Sequence, residues 1–122
     1  MRTRWLLATL ALSVAIAAIH LYASENFWYW RYRWFDTPMH VLGGITIGAL
    51  VVFLLGKARP STYIIIVAAI AIGWEIFEYA FGLTHETGYA LDTIHDLAND
   101  AVGAGFIYFI ARSTIWRPAS EP

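Results

Sequence analysis

The chain has 122 residues, is 59% hydrophobic with a mean hydropathy of +0.56, and contains no cysteine. Soluble domains run at about 45–50% apolar, so this composition points to a membrane protein. The absence of cysteine excludes disulfides and thiolate metal sites, and a net charge of −1 without a basic cluster gives no reason to expect nucleic acid as a partner.

Four apolar stretches, approximately 5–23, 39–56, 62–82 and 92–112, are each close to the ~20 residues that cross a hydrocarbon core. They are continuous rather than alternating, which argues against a barrel. The expected fold is all-α: residues 1–122 form a single polytopic domain of four transmembrane helices in a compact antiparallel bundle. Arg2, Arg4, Lys57, Arg59, Arg112 and Arg117 fall on one side of that topology, and only Arg31 and Arg33 on the other. The positive-inside rule then makes both termini cytoplasmic, in a plasma or inner membrane.

The first stretch begins Met-Arg-Thr-Arg-Trp and resembles a signal peptide. Its apolar run from Leu6 to Tyr22 is long, however, and the Ala15/Ala17 small-residue site lies inside it, so a retained span is expected. Thr9, Ser13, Ala17, His20 and Ser24 share one face of this helix, as in helices that pack in lipid. Residues 27–35 form an aromatic run broken by Arg31 and Arg33. A short element in the outer interface is expected here, with the two arginines as candidates for lipid-headgroup phosphate.

The second span starts at a Thr37 cap with Pro38 in the first turn, and Gly44-x-x-x-Gly48 is a close-packing motif. Gly56 ends it, Pro60-Ser61 opens the third span, and Gly82 closes that one. His85 and Glu86 read as solvated loop residues. In the fourth span Asp92, Asp96 and Asp100 recur every four residues and project within about 80° of one another. His95, Asn99 and Gly103 are assigned to the same side, and Asp92 doubles as a candidate N-cap.

Of the nine acids, Asp36, Glu75, Glu78, Asp92, Asp96 and Asp100 lie within or beside spans. An intramembrane carboxylate costs a few kcal/mol, and like charges at i, i+4 repel. The proposed topology brings Asp36 and His40, Glu75 and Glu78, Asp92 and Asp96, and His20 to one depth in the outer half. Asp100 is deeper. The lone lysine, Lys57, is on the wrong side. Two agents remain for neutralising such a pocket: protons, or a divalent metal held by Glu75, Glu78, Asp96, Asp92, His40, Asp36 and Asp100.

The series Phe35-Asp36-x-x-x-His40-x-x-Gly43-Gly44, Trp74-Glu75-x-x-Glu78 and Asp92-x-x-x-Asp96-x-x-Asn99-Asp100-x-x-Gly103 resembles the VanZ-like and YjdF-like small membrane proteins over about residues 36–105. Glu78 departs from the VanZ-like pattern, which usually shows a Glu followed by Gln, and is closer to the YjdF-like variant. VanZ-like members are associated with glycopeptide resistance. The resemblance implies a site but no particular reaction.

Three functions follow. The first is metal-assisted chemistry on a lipid or polyprenyl phosphate, with His40 or His95 moving protons. The second is an ion- or proton-coupled transporter, which would require a homo-oligomer and is disfavoured by the absence of acidic, basic and histidine residues from Val102 to Ile110. The third is a non-catalytic membrane partner with a polar core.

Overall fold

The computed structural model describes residues 2–57, 59–83 and 88–116. Its elements are α1 (Arg2–Glu25), α2 (Trp28–Arg31), α3 (Asp36–Leu55), α4 (Pro60–Phe81) and α5 (Tyr89–Thr114). Each long helix begins before the stretch inferred from hydropathy, and α1 and α5 also end after it, because helical hydrogen bonding continues into interfacial polar residues that a hydropathy window trims away. His85, Glu86, Thr87 and Arg117 lie outside the described residues.

α1, α3 and α4 are long and apolar enough to cross a membrane. α5 is longer still at 26 residues, but Asp92, Asp96, Asp100 and Arg112 lower its hydropathy. Large apolar side chains such as Leu7, Val14, Ile65, Ile76, Phe106 and Phe109 point outward, as in a protein whose solvent is hydrocarbon.

The turns follow the local sequence closely. Pro60 occupies the first turn of α4, and Gly82 caps its end at φ 66°, a left-handed conformation that glycine adopts without a Cβ penalty. Gly82 N–H then donates to the Tyr79 carbonyl and Leu83 N–H to that of Glu78. Two start signals are displaced. α3 begins at Asp36, before the expected Thr37 cap, and Phe35 makes no side-chain capping bond. α5 begins beyond Gly88, which puts Asp92 in its first turn rather than at the cap.

α3 is the centre of the structure. It packs most extensively on α5, then on α1, while α4 rests against both α3 and α5. Apolar burial gives little drive between helices in lipid, so close approach of small residues must hold the contact. A Cβ on Gly44 would collide with the Asp100 carbonyl, and one on Gly103 with the Val41 carbonyl. The helix backbones therefore touch at these two glycines. Gly48 is nearly as tight, with the Tyr63 hydroxyl 2.5 Å from its Cβ position. That hydroxyl donates to the Ala104 carbonyl at 2.7 Å and links α4 to α5.

Two apolar clusters lie at opposite ends. Val51, Val52, Tyr63, Ile107, Ala111 and Trp116 fill one end. Ala23, Phe35 and Met39 fill the other, beneath the aromatic α2. The polar residues lie between them.

Candidate metal centre

α3 supplies the central side chain. His40 is buried (8% exposed) one turn after Asp36, so the two share a face, with Nε2 3.8 Å from Asp36 Oδ2. The glycine contact between α3 and α5 brings the acidic face of α5 against the same imidazole. Asp96 Oδ1 lies 3.5 Å from Nε2, and Asp100 Oδ1 lies 3.5 Å from Nδ1. Both aspartates are buried. Three carboxylates thus surround one ring, two at one nitrogen and one at the other.

α4 completes the arrangement. Its buried residues Tyr63, Val67, Ala71 and Glu75 recur every four positions, so the inward stripe of this helix ends in a carboxylate. Ala68, one position on from Val67, is exposed. Glu75 is 4% exposed, and its Oε1 is buried without a hydrogen-bond partner. Thr93 lies beside it, yet its hydroxyl is also buried without a partner. An unsatisfied buried carboxylate oxygen is costly and calls for a ligand, proton or water. Tyr89 donates to the Glu75 carbonyl at 3.3 Å and ties the start of α5 to α4.

Among the described residues, two sets offer ligand atoms that lie within 4.8 Å of one another inside each set: Asp36, His40 and Asp96, and His40, Glu75 and Glu78. His40 belongs to both. Asp100 contacts the imidazole from behind. Asp92 is half-buried and belongs to neither set. His95 is exposed: it lies about 100° round the helix from Asp96, which turns it away from the face to which the sequence assigned it. Arg31 and Arg33 are exposed beside α2, outside the cluster.

A cavity of about 680 Å³ leads to these groups. Ser13, Ala17 and His20 of α1 line one wall, and Ile70, Gly73, Trp74, Phe77 and Glu78 of α4 the other. Asp36, His40 and Asp100 also line the cavity. The small, polar face of α1 therefore looks partly onto open space, and Ser13 is exposed there rather than packed.

His20 Nδ1 lies 2.8 Å from the Tyr29 hydroxyl. Burial, followed by the nearby Asp36 and Glu78 carboxylates, pushes the Tyr29 hydroxyl well above its ordinary pKa, so it stays protonated. Tyr29, Tyr89 and Thr93 were not singled out in the sequence. An aromatic-rich interface hides Tyr29, and Tyr89 and Thr93 acquire their roles only where α4 meets α5.

The sequence matches the family described as "Predicted membrane protein (DUF2238)" over residues 2–116. The chain belongs to the DUF2238 family of predicted membrane proteins. No curated protein and no solved structure matches it. Membership agrees with the three apolar helices and covers every residue of the His40 cluster.

Proposed function

We propose that this DUF2238 protein crosses the membrane four times, with α5 as the fourth span and both termini cytoplasmic, and holds a divalent metal ion at His40 in the outer half. Asp36 and Asp96 are ligands with His40 Nε2, and Glu75 and Glu78 approach from α4. The observation that carries this reading is the spacing around Nε2. Two ligands of one tetrahedral ion, each about 2.0–2.2 Å from the metal, lie roughly 3.3–3.6 Å apart. The observed separations to Asp96 and Asp36 are 3.5 and 3.8 Å, longer than the ~2.7–2.9 Å of a strong charge-assisted hydrogen bond.

Asp100 stands where the same reading needs a carboxylate. The usual partner of a metal-bound histidine is a carboxylate at the other ring nitrogen, and Asp100 Oδ1, 3.5 Å from Nδ1, is on that side of the ring. Mixed carboxylate and imidazole ligands suit zinc, manganese or iron. Bound there, the metal would supply Lewis acidity toward a phosphoryl oxygen, and the substrate class we propose is a lipid or polyprenyl phosphate. The resemblance to VanZ-like and YjdF-like proteins is carried with this proposal. His95 is not assigned a catalytic part, since it faces away.

The test is elemental analysis of protein purified in mild detergent. About one divalent ion per chain is expected, lost in Asp96→Ala and bound about 10–100-fold more weakly in Asp100→Asn. His95→Ala should bind as the parent does. Metal-free parent protein that takes up no added zinc or manganese would refute the proposal.

A second reading rests on the fact that both ring nitrogens face carboxylates. A protonated His40 would compensate Asp96 and Asp100 without metal, leaving a polar core that fixes helix register. It requires that chelators have no effect on the protein's stability.

A further inference from the structure

The cavity before His40 is an unusual shape for a site that holds only an ion. α1 and α4 both pack on α3 but have no substantial contact with each other, so the cavity between them opens sideways. Ile16, Met39, Ile47, Ile70 and Phe77 give it apolar walls. Small residues stand in both walls: Ala17 on α1, and on α4 Gly73, whose Cβ position meets nothing within 4 Å. Its volume falls in the ~300–1,000 Å³ range of small-molecule sites. Its titratable carboxyl and imidazole groups are Asp36, Glu78, Asp100, His40 and His20.

We propose that this groove seats one hydrocarbon chain of a phosphate-headed membrane lipid, entering sideways between α1 and α4, with the phosphate at His40. The inference rests on the metal reading above and adds the substrate's mode of entry and a condition on its binding. The occupant follows from chemistry. Between spans, the surrounding solvent is hydrocarbon, and an apolar groove open to it is filled by a lipid chain. The head must suit a lining that carries Asp36, Glu78 and Asp100 with the imidazoles of His40 and His20, and no lysine or arginine among the described lining residues. A bare phosphate would be repelled there. A divalent ion shared between the acids and the phosphate reverses the sign of that interaction. Binding of the lipid phosphate is therefore conditional on the metal.

The experiment uses full-length protein in mild detergent, with farnesyl phosphate, farnesol or inorganic phosphate as the probe. Bound ligand is read by native mass spectrometry with Mn²⁺ or with EDTA, and bound manganese is measured in parallel. In Mn²⁺, farnesyl phosphate should bind at least about tenfold more tightly than either farnesol or inorganic phosphate, a difference of ~1.4 kcal/mol. EDTA should abolish that preference.

Gly73→Leu narrows the groove from the α4 wall and should weaken farnesyl phosphate binding about tenfold while leaving bound manganese unchanged. Ala17→Leu, on the opposite wall, should do the same and guards against a folding defect in the first variant. If manganese binds but both variants take up farnesyl phosphate as the parent does, the groove is not the lipid's seat and the metal reading survives. Equal retention of inorganic phosphate and farnesyl phosphate would overturn the proposal in the same way. Failure of the parent to bind manganese removes the metal reading and this inference with it.

Discussion

Gly103 offers the sharpest test of how the site is built. Its Cβ position collides with the Val41 carbonyl and lies 2.7 Å from Ile45 N and 3.1 Å from Gly44 C, all backbone atoms of α3. No rotamer change relieves such a clash, so Gly103→Ala must part the two helices. Overpacking of this kind costs about 1–3 kcal/mol, and the rigid neighbours place it toward the upper end. Separation by roughly 1 Å would also carry Asp96 and Asp100 away from His40, whose contacts now stand at 3.5 Å.

Gly105 is the internal control, two residues along the same helix, with nothing within 4 Å of its Cβ position. Gly105→Ala should be neutral or stabilising by about 0.5–1 kcal/mol, since alanine is the better helix former. The two variants should therefore differ by about 2–4 kcal/mol with opposite signs. Thermal unfolding in detergent, followed by tryptophan fluorescence, measures stability, and elemental analysis measures the site. Equal melting temperatures for the two variants would refute the backbone contact between α3 and α5. A destabilised Gly103→Ala that keeps the parent's metal would refute its part in assembling the centre.

Topology is tested by tags and labelling: both termini should report cytoplasmic, and Thr87→Cys should react with an impermeant reagent from outside, whereas labelling only after permeabilisation would reverse the outward placement of His40. Chelation should lower the parent's stability by up to the ~2.7 kcal/mol expected at a metal concentration of 100 Kd, read as a fall in melting temperature, and leave Asp96→Ala nearly unaffected. Because ligands bind as deprotonated groups, metal occupancy should fall as pH is lowered, and flat occupancy across the acid range would argue against carboxylate and imidazole ligands. Arg31→Ala and Arg33→Ala should each weaken association with anionic lipid by about 1 kcal/mol without changing bound metal; a loss of metal instead would place these exposed side chains nearer the centre than α2 puts them.

The sequence by itself determined the membrane class of the protein and supplied the acids and the histidine from which the polar cluster is drawn. Hydropathy marks the apolar stretches because each helix must satisfy its own backbone in lipid, a local requirement. Gly82 and Pro60 set helix ends through their own backbone preferences. The recurrence of Asp92, Asp96 and Asp100 identifies an acidic helix face before any neighbour is known. Which of these acids meet was decided only by packing. Glycine contacts that fix the rotation of α5 against α3 place Asp96 and Asp100 on His40 and turn His95 outward. The i+4 stripe of α4 determines that Glu75 is buried with an unpartnered oxygen. The sideways cavity depends on α1 and α4 standing apart. A helix's own sequence gives the angle between its side chains, but its rotation toward a neighbour is a property of the pair.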